Sequence, residues 1–250
     1  KVIGTIDGAR IFSHAHPGAI YLHNSETYLV KELDVDNRVV TTEPVTSDYY
    51  TQSVVVEHID IIESRGQKNW GDSTIETGKI LIKSRATEFR QITFHSHEFV
   101  GRKVLDLPEQ RVQTLGTWFI PNPDLFPFIE RELQLSYFGG LEAIKNVLES
   151  ILPLYTMSEQ QGCRGKVQPN DGGELAIFLL DAYPGGLGYT ETSYNQFGKM
   201  MLHASEIISG CGCRDGCPSC VHPIYMFASS DEKPDKQTAM EILKLILQGV

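Results

Sequence analysis

The sequence predicts an α+β chain. Residues 1–112 read as a β-rich part, a small barrel or curled antiparallel sheet, and residues 113–250 as an α/β part containing a cysteine knuckle. Three observations carry this. Short apolar runs alternate with turn residues up to Pro108; helical apolar spacing appears after it; and four of the five cysteines fall in "CGCRDGCPSC", residues 211–220.

In "AIYLHNSETYLVKELDVDNRVVTTEPV" two apolar runs are split by His23-Asn24-Ser25-Glu26, a hairpin break, and Asp36-Asn37 marks a second turn. "SVVVEHIDIIES", "KILIKS" and "RQITFHSHEFVGRKVLDL" continue as short strands, a spacing suited to a curled sheet or small barrel. "TLGTWFI" is one more strand, followed by the breaker-rich "PNPDLFP". Over 139–152, Leu141, Ile144, Leu148 and Ile151 form one helical stripe, stopped by Pro153. "ELAIFLLD", 174–181, reads as a strand buried on both faces or, alternatively, as a buried helix segment. After the glycine turn "AYPGGLGY", Tyr194, Phe197, Met201, Ala204 and Ile208 step by three and four along a helix. Ser193 and Gln196 are placed as its capping box and Gly210 as its stop. A last helix begins near Asp235, with Ala239, Ile242, Leu243 and Ile246 inward.

The net charge of −10, from 22 basic and 32 acidic residues, argues against a free-standing DNA-coating domain, so any nucleic-acid contact is expected at a local patch. No window is apolar enough for a membrane span and no signal peptide is visible, so the cysteines are expected in a reducing, cytoplasmic compartment. A chain opening on "KVIGTI" without Met reads as a fragment or a processed product.

The knuckle is C-x-C-x3-C-x2-C: Cys211, Cys213, Cys217 and Cys220. Four thiolates converge readily on one tetrahedral zinc ion, and with all positions filled by sulfur the site is structural. Gly212 and Gly216 suit a tight turn, Pro218 stiffens it, and Arg214 sits beside a site of charge −2; His222 is a nearby alternate ligand, but four cysteines already fill the tetrahedron, which favours it as a neighbouring surface residue. An iron–sulfur cluster also takes four thiolates, two disulfides can be drawn, and Cys217-Pro218-Ser219-Cys220 has redox-motif spacing. A Cys-x-Cys pair bridges poorly, which favours metal.

"DAYPGGLGY", 181–189, reads either as a phosphate cradle, with Tyr183 and Tyr189 as stacking rings, or as a turn packing helix on strand. It lacks nucleotide-loop spacing. The pairs His14/His16 and His95/His97 have same-side strand spacing but no third ligand in register. Cys163 lies in the polar "QGCRGKVQPNDGG", as a free thiol or a fifth ligand, and Asp181 has no evident acid–base partner. No hydrolase, metalloprotease or Walker motif appears, so no catalytic residue is assigned.

"LLDAYPGGLGYTE", a helix, "CGCRDGCPSCV" and "KPDKQTAMEIL", preceded by the β-rich stretch from "IGTIDGARIFS", resemble the zinc-binding C-terminal region of mitomycin repair factor A (MrfA)-type superfamily 2 DNA helicases. The resemblance implies a parent ATP-dependent helicase of 3′-to-5′ polarity in DNA repair. Its ATP and Mg²⁺ would belong to motor domains outside this chain, and its partners would be those motor and winged-helix domains and single-stranded DNA. Cys211, Cys213, Cys217 and Cys220 carry over as ligands of one structural zinc. This region would guide or clamp DNA, or alternatively brace the motor without touching it. Such relatives place another cysteine in a P-x-C-G shortly after the knuckle; here the stretch reads "HPIYMFASS", so no fifth ligand carries over.

Overall fold

Asn24 and Ser25 both take left-handed backbone angles (φ 48° and 65°). That is the turn a two-residue hairpin needs, and it sets the register of β1 (Ile20–His23) against β2 (Glu26–Asp34), pairing His23 with Glu26. Asp34 accepts the Asn37 N–H and closes the second turn, with Arg38 at φ 56°. β2 then pairs with β3 (Val39–Pro44) to complete a three-stranded antiparallel sheet.

The computed structural model describes residues 1–159, 162–222 and 233–248. None of its helices is long and apolar enough to cross a membrane. The chain forms two compact units, Lys1–His58 with Ile82–Arg111, and Ile59–Leu81 with Val112–Val250. A second sheet runs β4 (Tyr49–Trp70), β5 (Ser73–Thr93), β7 (Gln110–Ile120), β9 (Leu175–Asp181), β8 (Cys163–Pro169), with β6 (Phe99–Val104) paired to β5. The β-rich part is therefore antiparallel sheet, as expected. The short runs at 53–64 and 79–84 belong to one long hairpin whose strands have 22 and 21 residues.

The first unit packs Phe12, His16, Ile20, Val30, Ile82 and Phe89, with His16 against the Phe89 ring at 4.6 Å. A helical turn at Ile11–His14 interrupts the strand-like reading of that stretch.

In the second unit the sheet curls. Gln168, on edge strand β8, donates to the Ile59 carbonyl (2.7 Å) and accepts the Ile59 N–H (3.0 Å), tying β8 to β4 through a side chain. α1 (Tyr137–Thr156), α2 (Tyr189–Gly210) and α3 (Lys236–Gln248) pack with this sheet around Leu141, Leu148, Ile177, Phe197, Met201 and Ile242, all nearly or fully buried. Each such side chain contributes about 1.5–3 kcal/mol relative to exposure.

α1 differs from expectation at both ends. Ser136 caps it, accepting the Gly139 N–H at 3.0 Å, and it passes through Pro153 to Thr156. A proline in the last turn costs one backbone bond but does not force a stop when its ring is accommodated; Met157 then leaves in the left-handed region at φ 51°. α2 begins at Tyr189, so Ser193 is not its cap and instead donates to the Thr190 carbonyl at 2.6 Å.

Candidate metal centre

Cys211 takes the extended conformation that ends α2, which turns the chain into the knuckle. Gly216 follows at φ 105°, where a side chain is strained and a Cβ would come within 2.5 Å of Val221. The Cys217 carbonyl accepts from the Cys220 and His222 N–H groups (3.0 and 3.2 Å), and Cys217 N–H points at the Cys220 sulfur at 3.3 Å. Asn146 of α1 donates to the Val221 carbonyl at 2.9 Å, fixing the far end of the knuckle to the core.

Turn geometry brings the four sulfurs together. Cys211–Cys213, Cys211–Cys217 and Cys213–Cys220 are each 3.5 Å apart and Cys217–Cys220 is 3.7 Å, all too long for disulfides. A zinc tetrahedron with bonds of about 2.3 Å has edges of about 3.8 Å. These four edges are shorter than that by at most a few tenths of an ångström, all four sulfurs lie within 4.8 Å of one another, and one zinc ion fits the group. Neither Cys163 nor His222 joins this group among the described residues. "PIYMFASS", the rest of the stretch compared for a further cysteine, lies outside the described residues.

The charge beside the cluster is not supplied as the sequence suggested. Arg214 points to solvent, 3.8 Å from Asp215, with its side chain 90% exposed. Lys236, at the start of α3, is buried instead and donates to the Cys211 carbonyl (2.6 Å), the Cys213 carbonyl (2.7 Å) and the Cys213 sulfur (3.4 Å). Those three contacts use all three ammonium hydrogens. Gln237 adds a bond to the Arg214 carbonyl at 2.8 Å. The only signal in the sequence was a lysine opening an amphipathic helix, which resembles any solvated N-terminal residue.

Burial raises the Cys213 thiol, but hydrogen bonds with Cys211, Cys220, Lys236 and Cys217 outweigh it and bring it down to about 6. Burial pushes Cys220 up to about 12. Binding a cation requires all four sulfurs as thiolates, so metal entry releases protons from the cluster.

Asp181 is fully buried and accepts three backbone N–H groups, from Leu187 (2.6 Å), Gly188 (2.8 Å) and Thr190 (2.9 Å). Its carboxylate occupies the anion-binding end of α2 that an external phosphate would use, so the D-x-x-P-G-G turn is an internal cap. Cys163 is not in a loop. It lies buried on β8 opposite Asp181, its thiol pushed up to about 12 chiefly by burial and then by that carboxylate. His14 pairs with Ser13, His16 is buried, and His95 and His97 are exposed; none belongs to a metal-like group among the described residues.

The model of the MrfA Zn-binding domain matches residues 144–221, from α1 through the knuckle. Residues 144–221 are similar to an MrfA Zn-binding domain. Beyond it, the chain is 29% identical over 223 residues to the ATP-dependent helicase YprA of Bacillus subtilis, covering 88% of this chain and 29% of that protein. It is 21% identical to the ATP-dependent helicase hrq1 of Schizosaccharomyces pombe, covering 98% of this chain and 25% of that one. A crystal structure of the DUF1998 helicase MrfA bound to DNA superposes with a TM-score of 0.69 at 27% identity, covering 96% of this chain and 31% of that chain. The chain thus spans less than a third of the length of these helicases. Near the two ends of the matched range, Asn146 of α1 holds the knuckle through its bond to the Val221 carbonyl.

Proposed function

We propose that this chain is the C-terminal accessory region of an ATP-dependent 3′-to-5′ DNA helicase in DNA repair, guiding or clamping single-stranded DNA beside a motor. Its zinc would be structural, held by Cys211, Cys213, Cys217 and Cys220, with ATP and Mg²⁺ bound by motor domains outside the chain. As sequence modules, residues 1–112 are β-rich and residues 113–250 carry the zinc site. A cytoplasmic, nucleoid-associated location accords with thiols that are not bridged.

The observation that carries this reading is the alignment of nearly the whole chain with helicases, together with a four-sulfur site that leaves no open position for chemistry. The role left to the polypeptide is to hold a surface in place. Titrating the chain against fluorescein-labelled single-stranded DNA at rising salt tests it. Each phosphate contact is expected to steepen the fall of log affinity against log salt by about 0.7. Absence of binding overturns the DNA-guiding role and leaves bracing of the motor.

A further inference from the structure

β5 and β6 place two arginines directly opposite each other, Arg90 against Arg102. Like charges so paired destabilise a sheet. The opposition is not quenched: among the described residues Arg102 reaches only Glu88, at 3.9 Å, with its side chain 71% exposed. Arg90 is exposed, and its side chain makes no ion pair or hydrogen bond among the described residues. A chain with 32 acidic residues had ample means to pair them.

The same face carries an aromatic ring. Residues 90 and 92 of β5 point the same way, and the register shift after Gln91 sets Phe99 opposite Ile92. Phe99 is 60% exposed, an unusual position for a phenylalanine on a strand. Around it the local charge reverses that of the whole: residues 83–103 hold five basic and two acidic residues in a chain of net charge −10. A sequence-tolerant single-strand site needs cations spaced along a backbone and a ring on which a base can stack.

We infer that the β5–β6 face, through Arg90, Arg102 and Phe99, is a platform for single-stranded nucleic acid, the arginines taking phosphates and Phe99 stacking on a base. The inference rests on the DNA-contacting reading above and locates it. Charge complementarity selects the occupant: an acidic polypeptide would satisfy the arginines but leave the exposed ring without a purpose.

The test compares the full chain with Arg90→Ser/Arg102→Ser, Phe99→Ala and a charge-matched control, Lys31→Ser/Lys244→Ser, on a labelled oligothymidylate across a salt series. Removing both arginines is expected to reduce the salt slope by about 1.4, two phosphates' worth, without lowering the melting temperature, because repulsion is relieved. Phe99→Ala is expected to weaken binding about fivefold or more with the slope unchanged. Wild-type binding that neither variant alters, or that the control reduces equally, overturns this platform and leaves the DNA-contacting role standing. A wild-type chain that does not bind overturns both.

Discussion

The Lys236 ammonium lies 3.4 Å from the Cys213 sulfur, buried under the knuckle and 23 residues along the chain from it. It couples two things that sequence distance separates: the charge of the thiolate cluster and the docking of α3. A Zn(Cys)4 centre carries −2, and desolvating that charge is costly unless a cation accompanies it.

Lys236→Met keeps the stem and removes the ammonium, leaving the Cys211 and Cys213 carbonyls short of a donor. Stability is expected to fall by about 3 kcal/mol. Release of zinc to a chromogenic chelator is expected to accelerate about tenfold or more, the scale of lost outer-shell support in other metal sites. Lys236→Arg is expected to be intermediate, since its charge survives but its planar fork does not fit three converging acceptors. Unchanged release from Lys236→Met would remove Lys236 from the metal's environment.

The four sulfurs also make a stoichiometric prediction. Elemental analysis of reduced protein should give about one zinc per chain, and Cys217→Ser should abolish it. In the same variant the second unit should lose cooperative unfolding, because the free energy of binding metal through Cys217 is part of the folding free energy of the knuckle. A colourless protein containing zinc excludes iron–sulfur, whereas visible absorption would reverse the assignment.

Part of this was legible beforehand, for reasons tied to particular residues. The knuckle was readable because local turn chemistry brings its ligands together: ten residues and two glycines suffice. The hairpin at Asn24-Ser25 and the stripe on α1 were readable for the same reason, being short-range. What escaped was long-range. Strand β8 hides in a polar segment because it is an edge strand whose pairing is set by β9 and by the Gln168 link to Ile59, over a hundred residues away. α2 starts at Tyr189, ahead of the Ser193 capping pattern, because its cap, Asp181, comes from the preceding strand and not from the helix's own first turn. Lys236 was invisible because nothing local marks it as buried.

Asp181 gives a stability prediction free of metal. Asp181→Asn preserves shape but leaves one oxygen acceptor for the three N–H groups of Leu187, Gly188 and Thr190 and turns an amide N–H₂ toward some of them. A loss of about 2–4 kcal/mol in urea unfolding is expected, with zinc content unchanged. Loss of nucleic-acid binding without loss of stability would instead show that this turn reads phosphate.

Glu149 predicts a pH dependence. Burial raises its pKa, and Lys145, the Gly165 N–H and Arg164 only partly offset the rise. A carboxyl whose folded pKa lies above its unfolded value keeps its proton in the fold at pH values where the unfolded chain has released it. Across that window the native state binds more protons, so the free energy of unfolding falls as pH increases from the ordinary glutamate range through the raised value. Above it, the half-buried charged form is a constant penalty. Glu149→Gln retains an oxygen for the Gly165 N–H, 2.9 Å from the Glu149 carboxylate, and cannot ionise. The variant should show a flatter stability profile than wild type above pH 5 and be the more stable of the two near neutrality, as measured by urea midpoints at constant ionic strength. A parallel pair of profiles would mean that Lys145 and Arg164 hold Glu149 ionised throughout.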